Sequence, residues 1–274
     1  GLAAEPFTNT NANFGTVTFN VTDGYQKIDP IDVEVTIVGA YNTTVYDGQA
    51  HTVTGYTASA STTLYDVEGE DKYFTFTGEA TATRTEEGKT DMGLASSQFT
   101  NTNLNFATVT FNVTDGYQEI TPVDEVVVTI TGHTSTVSYD GEEHTVTGYD
   151  VEISNDLYTT ADFTFSGNAS VTGKNAGKYD MVLKPEDFTN TNKNFANVTF
   201  VIVDGQLKIN QKALTITADS AAKEYDGTEL TKDSYTSTDL AEGDAFASVT
   251  VTGSITEVGS IANVPSAAKI VDGE

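Results

Sequence analysis

The chain has 274 residues and a formal net charge of −27, from 40 acidic and 13 basic side chains. It has no cysteine and one arginine, Arg84. Disulfide staples, thiolate chemistry and zinc–thiolate sites are thereby excluded, and nucleic acid is a poor partner because phosphate binding needs a basic footprint. With 38% hydrophobic and 19% charged residues, the composition is that of an ordered rather than a disordered chain. No apolar run reaches membrane-spanning length, so no membrane insertion is expected.

In chain order the first recognisable segment is FTNTNANF, 7–14, followed by TVTFNVTDGYQKI, 16–28. Both return, as FTNTNLNF at 99–106 with TVTFNVTDGYQEI at 108–120, and as FTNTNKNF at 188–195 with NVTFVIVDGQLKI at 197–209. Between them VYDGQAHTVTGY, 45–56, recurs as SYDGEEHTVTGY, 138–149, and more distantly as EYDGTELTKDSY, 224–235. The spacing defines a unit of about ninety residues, the size of a small domain rather than of a solenoid repeat. The expected division is 1–30 as closing strands of a preceding or permuted module, 31–122 and 123–211 as complete β modules, and 212–274 as a module lacking its last strands. The lone Gly1 reads as a leftover of excision from a longer chain. Residues 1–30 are expected to pair with a neighbouring molecule's last module, a head-to-tail contact by strand addition.

Period-two alternation predicts strands throughout. In IDVEVTI, Ile31, Val33, Val35 and Ile37 share one face; in YDMVL, Tyr179, Met181 and Leu183 do. One wet and one dry face suggests antiparallel sheets. Asp-Gly pairs at 23–24, 47–48, 115–116, 140–141, 204–205 and 226–227 predict tight hairpins. The FTNTN segments read as irregular connections held by Asn and Thr side chains, with Phe99 and Phe106 pinning both ends. KPEDF, with Pro185, predicts a single helical turn. The fold expected is all-β: a tandem array of about three β-rich modules, Ig-like sandwich or β-grasp-like. Short joints at Pro30 and Pro122 would make the array an elongated rod.

The YDG motif, the TVTGY strand, AGKYDM and the VTDGYQKI segment resemble the YDG-bearing MBG-type repeats of bacterial cell-surface proteins, most of all in KALTITADSAAKEYDGTELT, 212–231. The resemblance implies an extracellular or surface location and a stalk or adhesin-like role, with host glycan or mucin as the partner class.

Candidate chemistry is sparse. His51 and His144 recur as strand residues, and His133 stands apart from them. No nucleophile elbow, phosphate loop or HExxH motif is present, so no catalytic residue, no enzyme and no cofactor are expected. Asp66, Glu68, Glu70 and Asp71, in the variable loop 57–72, are the weak candidates for a metal, against a solvated acidic loop. Tyr65, Tyr73, Asn101, Asn103 and Asn105 are the candidates for a sugar ligand, against packing and self-bonded turns. Lys223 is the lysine placed for an isopeptide bond, against a strand-end lysine reaching to water.

Overall fold

The computed structural model describes residues 1, 5 and 7–272; residues 2–4 and 6 of the expected N-terminal segment, and 273 and 274 of the last one, lie outside the described residues. Among the described residues the chain is all-β, with three-residue 3-10 turns such as Pro185–Asp187 as its only helical elements. It divides into two compact units. The first comprises residues 1–44 and 49–121; the second comprises 45–48 and 122–274.

In the first unit the strand Ile31–Gly39 lies at the centre of a three-stranded sheet. Tyr56–Ala60 pairs with it antiparallel, and Phe106–Thr114 pairs with it in parallel. The alternation predicted for IDVEVTI holds from Val33 on: Val33, Val35 and Ile37 are buried and the residues between them are exposed, but Ile31 is exposed, where the register with the parallel strand shifts between Ile31 and Val33. They pack on Tyr65, Phe74, Phe99 and Phe106. A second sheet orders Tyr41–Val45, Tyr117–Thr121 and Gly88–Asp91.

The second unit repeats this plan. Val123–Gly132 is central, with Tyr149–Ile153 antiparallel and Phe195–Val203 parallel. Thr134–Ser138, Gln206–Asn210 and Gly177–Asp180 form the second sheet. Its core gathers Val126, Val128, Ile130, Tyr158, Phe188 and Phe195. The third copy of the repeat, also in this unit, follows the plan only in part. Ile216–Ala218 pairs with Tyr235–Ser237, with Ile216 opposite Ser237 as Ile130 is opposite Val151. Among the described residues, no strand lies on its parallel edge. From residue 212 on, the one apolar residue buried among those described is Ala241.

Two expectations need correction. The sheets are not purely antiparallel, because the strand that closes each core comes from the far end of its repeat and runs parallel to the centre. The Asp-Gly pairs do not make hairpins either. The strands flanking Asp115-Gly116 belong to different sheets, and so do those flanking Asp47-Gly48. At Asp115 the carboxylate instead accepts the Gly93 and Leu94 N–H groups at 2.9 Å, and Asp204 likewise accepts those of Val182 and Leu183. The glycine that follows is needed for close approach: a Cβ on Gly205 would stand 2.4 Å from the Met181 sulfur and 2.7 Å from the His133 carbonyl oxygen, and one on Gly132, across from it, 2.3 Å from the Gly205 nitrogen. Sequence pattern alone could not separate a hairpin glycine from a strand-crossing one.

Phe7 and Phe14 do not share the fate of their counterparts. Phe99, Phe106, Phe188 and Phe195 are buried, whereas Phe7 and Phe14 are exposed and residues 7–28 form no strand.

The unequal burial predicts unequal costs of truncation. Ile130→Ala should lose about 3–4 kcal/mol of stability, since a buried aliphatic leaves a cavity, while the equivalent, half-buried Ile216→Ala should lose about 1 kcal/mol. Urea unfolding of the two variants checks this.

Candidate functional site

The candidate ligand residues form one connected network at the end of the central sheet. Asn101, Asn103 and Asn105 lie in the loop between Phe99 and Phe106. The Asn101 side-chain oxygen accepts the Asn103 N–H at 3.1 Å, and its amide donates to the Asn103 carbonyl at 2.9 Å. Asn103 in turn accepts the Asn105 N–H at 3.0 Å. These are successive Asx turns, in which a short polar side chain stands in for backbone. The second copy repeats them through Asn190, Asn192 and Asn194. In the N-terminal copy, Asn9 and Asn11 make the same bonds although the segment is exposed. The loop is therefore built by local sequence and does not depend on burial.

Tyr65 locks the loop from inside. It is 3% exposed, and its phenol donates to the Tyr73 carbonyl at 2.9 Å or to Asn101 Oδ1 at 3.0 Å. Tyr158 does the same with the Asp162 carbonyl and Asn190 Oδ1, at 3.1 Å each. Burial pushes both phenols up to about 12. Tyr65 thus offers no open ring face to a ligand, and half-buried Tyr73 stands edge-on to it at 5.7 Å.

The acidic loop behaves differently. Asp66 accepts the Glu68 N–H at 3.0 Å, closing a turn. Among the described residues no three acidic or histidine side chains come together to hold a metal, so Asp66, Glu68, Glu70 and Asp71 are not assembled into a ligand set. Beside this loop a shallow recess is lined by Tyr56, Ala58, Val67, Glu68 and Lys72. The Lys72 ammonium lies 5.6 Å from the Tyr56 ring centre and 4.9 Å from that of Phe74, covering both.

The YDG turns have a role that the sequence did not disclose. Within the second unit, Tyr46 stands edge-on to Phe195 with ring centres 5.7 Å apart. The next YDG turn packs on the third repeat: the Tyr139 phenol donates to Asp244 at 3.2 Å, and the Glu242 N–H donates to the Asp140 carbonyl at 2.9 Å. Gly141 has φ +87°, and a Cβ there would stand 2.2 Å from the Glu242 carbonyl oxygen. His144 bonds Asp140 across the turn at 2.9 Å. The Glu142 N–H, then His144, hold the Asp140 carboxyl below its ordinary range. In the third copy Lys223 bonds Asp226 at 2.9 Å and Thr228, so it braces the turn's own carboxylate. That bond is the largest cause of the depressed Asp226 pKa. Tyr225 itself is exposed.

Arg84 was also missed as a structural residue. Its guanidinium donates to the Glu86 carbonyl at 2.8 Å, to the Glu87 carbonyl and to Thr90, pinning the turn between two strands.

No family model, curated protein or solved structure matches the chain.

Two outcomes are expected. Tyr65→Phe and Tyr158→Phe should each cost about 1 kcal/mol, the net worth of a hydrogen bond whose acceptors stay behind. Because the folded phenols sit near 12 and unfolded tyrosine near 10, the stability they contribute is whole below pH 10 and is lost as pH rises towards 12. The double variant should flatten that alkaline loss in chemical unfolding. For the turns, Gly227→Ala, with open space around it, should cost about 1–2 kcal/mol for its left-handed backbone. Gly141→Ala should cost clearly more because backbone must also move. Paired thermal melts compare them.

Proposed function

We propose that this chain is a stretch of spacer repeats from a secreted or surface-anchored bacterial protein, an adhesin-like stalk without catalytic activity of its own. The resemblance to YDG-bearing MBG-type repeats supports that reading. The observation that carries it is the use made of the recurrent polar residues. The asparagines bond their own loop, the tyrosines lock it, and one YDG turn ties a repeat to the next. Residues that recur because they hold modules together are what a load-bearing array requires, and repeats joined without linkers form a semi-rigid rod. The acidic surface keeps such rods apart through mutual repulsion.

A glycan- or mucin-binding module is the second reading. The recess beside the variable loop 57–72 favours it, being the one place where the first repeat carries residues its neighbours lack.

Low-angle scattering on dilute protein tests the stalk. A rod of three modules should give a maximum dimension of about 110–130 Å, against about 60 Å for a compact globule of this mass. Specific retention on a glycan array, lost in Lys72→Ala or Tyr56→Ala, would replace the stalk with the adhesive module.

A further inference from the structure

Among the described residues the longest strands at a sheet edge are Phe106–Thr114 and Phe195–Val203. Each has nine residues and pairs on one side only, with the central strand of its sheet. Such an edge offers a row of N–H and C=O groups to any further strand, and proteins ordinarily blunt it with a charge, a proline or a bulge. FATVTFNVT and FANVTFVIV hold no charged residue, no proline and no glycine, in a chain of net charge −27. Both lie inside complete repeats.

Bonds on the inner side fix which groups point outward. The Val127 carbonyl accepts the Ser154 N–H at 2.9 Å, and the Val127 N–H donates to Ser154 Oγ at 2.9 Å. Val127 therefore faces its antiparallel neighbour, and by alternation Val128 faces Phe195–Val203. In a parallel pair Val128, set opposite Phe200, bonds the residues on either side of it, Thr199 and Val201. Val198, Phe200 and Ile202 thus turn their N–H and C=O groups away from the sheet. Among the described residues nothing bonds them there. The first repeat agrees: the Thr108 N–H donates inward to Asp32 at 3.0 Å, which leaves Val109, Phe111 and Val113 facing out.

The two edges differ on their wet face. Where the first repeat has Asn112 and Thr114, the second has Val201 and Val203, 43% and 51% exposed. The sheet does not need valine there, since the first repeat builds the same parallel pair with the polar residues. On the core face Val198, Phe200 and Ile202 are only half-buried, beside fully buried Val126, Val128 and Ile130. Both faces of the second edge thus carry apolar side chains that one more strand would cover. Carboxylates at its two ends are already engaged: Asp124 accepts from Asn197 at 2.9 Å, and Asp204 accepts the Val182 and Leu183 N–H groups.

We propose that two copies of this chain pair edge to edge, antiparallel, through Phe195–Val203. The occupant is a second copy because chains this acidic repel one another, and their approach costs least along a strip without charge. Two identical antiparallel strands share a two-fold axis, so the contact closes as a dimer. With the axis at Phe200, all three outward residues are used. Phe200 bonds Phe200 of the second copy, and Val198 bonds Ile202 of the second copy in both directions, for about six main-chain bonds. Those residues meet on the core face, while Thr199 meets Val201 on the wet face. Two three-stranded sheets become one continuous sheet. The first repeat's edge stays apart, because Asn112 and Thr114 keep its wet face hydrated.

The absence of native cysteine makes the register testable. Chains carrying Thr199→Cys are mixed with chains carrying Val201→Cys under mild oxidation; both side chains are exposed, so neither change opens the core. The mixed disulfide should form several-fold faster than either like disulfide. Opposite residues of a non-hydrogen-bonded pair have Cα atoms about 4.5 Å apart, within disulfide reach, while like residues sit on a diagonal. Sedimentation of the unaltered chain from about 1 µM to about 1 mM should show a monomer–dimer equilibrium. It should shift towards dimer at about 0.5 M salt, which screens the acidic repulsion. Val201→Glu should weaken association about tenfold or more, because it sets like charges diagonally across the axis. Asn112→Glu, at the matching position of the first repeat, should leave association unchanged. Both positions are exposed, and an unaltered thermal melt of each keeps loss of pairing apart from loss of fold. A monomer at about 1 mM overturns the proposal and leaves the edge to a strand of a different protein. So do like disulfides that form as fast as the mixed one, a dimer that survives Val201→Glu, or growth beyond the dimer. Each outcome leaves the stalk reading as it stands, because pairing at an edge needs no rod.

Discussion

The parallel pairing between a central strand and a strand from the far end of the same repeat is the constraint on which the rest depends. Asp32 accepts the Thr108 N–H across 76 residues of sequence, and Val35 lies opposite Phe111. Everything between those strands has to wrap around the face they share. Where the pair is present, Val33, Val35 and Ile37, or Val126, Val128 and Ile130, go fully under. Where the parallel strand is lacking, the same alternation in KALTITA leaves Leu214 and Ile216 half open. Burial in this protein is thus a property of the pair of strands and not of either sequence alone. Such distant pairing pays its loop-closure entropy before any contact rewards it, which makes an open edge long-lived during folding.

The polar repeats serve that geometry at its most exposed point. A connection between two sheets at the end of a core has backbone groups without ladder partners, and each one buried unsatisfied is costly. The Asn ladder supplies those partners from within eight residues, so the loop keeps its shape even in the exposed N-terminal copy. Tyr65 and Tyr158 then connect the ladder to the core by one phenol each. The arrangement uses the residue types that also recognise sugars, and composition cannot distinguish the two uses. The bonds can, because Asn101 and Asn103 each have their side-chain oxygen committed to the loop's own backbone.

The YDG turn shows how one motif acts between repeats. Asp140 is held by His144 and by the Glu142 N–H, which fixes the turn; the carbonyl and phenol beside it then reach Glu242 and Asp244. In the third copy Lys223 replaces histidine as the partner of the aspartate. The turn is preserved by a different side chain, and Tyr225 is left at the surface. A lysine noted for covalent cross-linking is occupied instead by electrostatic bracing of a turn.

The sequence by itself determined the all-β class, the ninety-residue repeat, the inward face of Val33, Val35 and Ile37 and the pinning role of Phe99 and Phe106. These follow from period-two alternation and from self-similarity, both local properties of the string. It also carried the Asn turns, since an Asx turn spans only two residues. Only the tertiary structure decided that the closing strands run parallel, that Asp115 and Asp204 cap distant amides rather than turn hairpins, and that Tyr139 reaches across to Asp244. The reason is the same in each case: alternation shows which way a side chain points but not which strand comes to meet it. That choice rests on contacts tens of residues apart, which no short window of sequence contains.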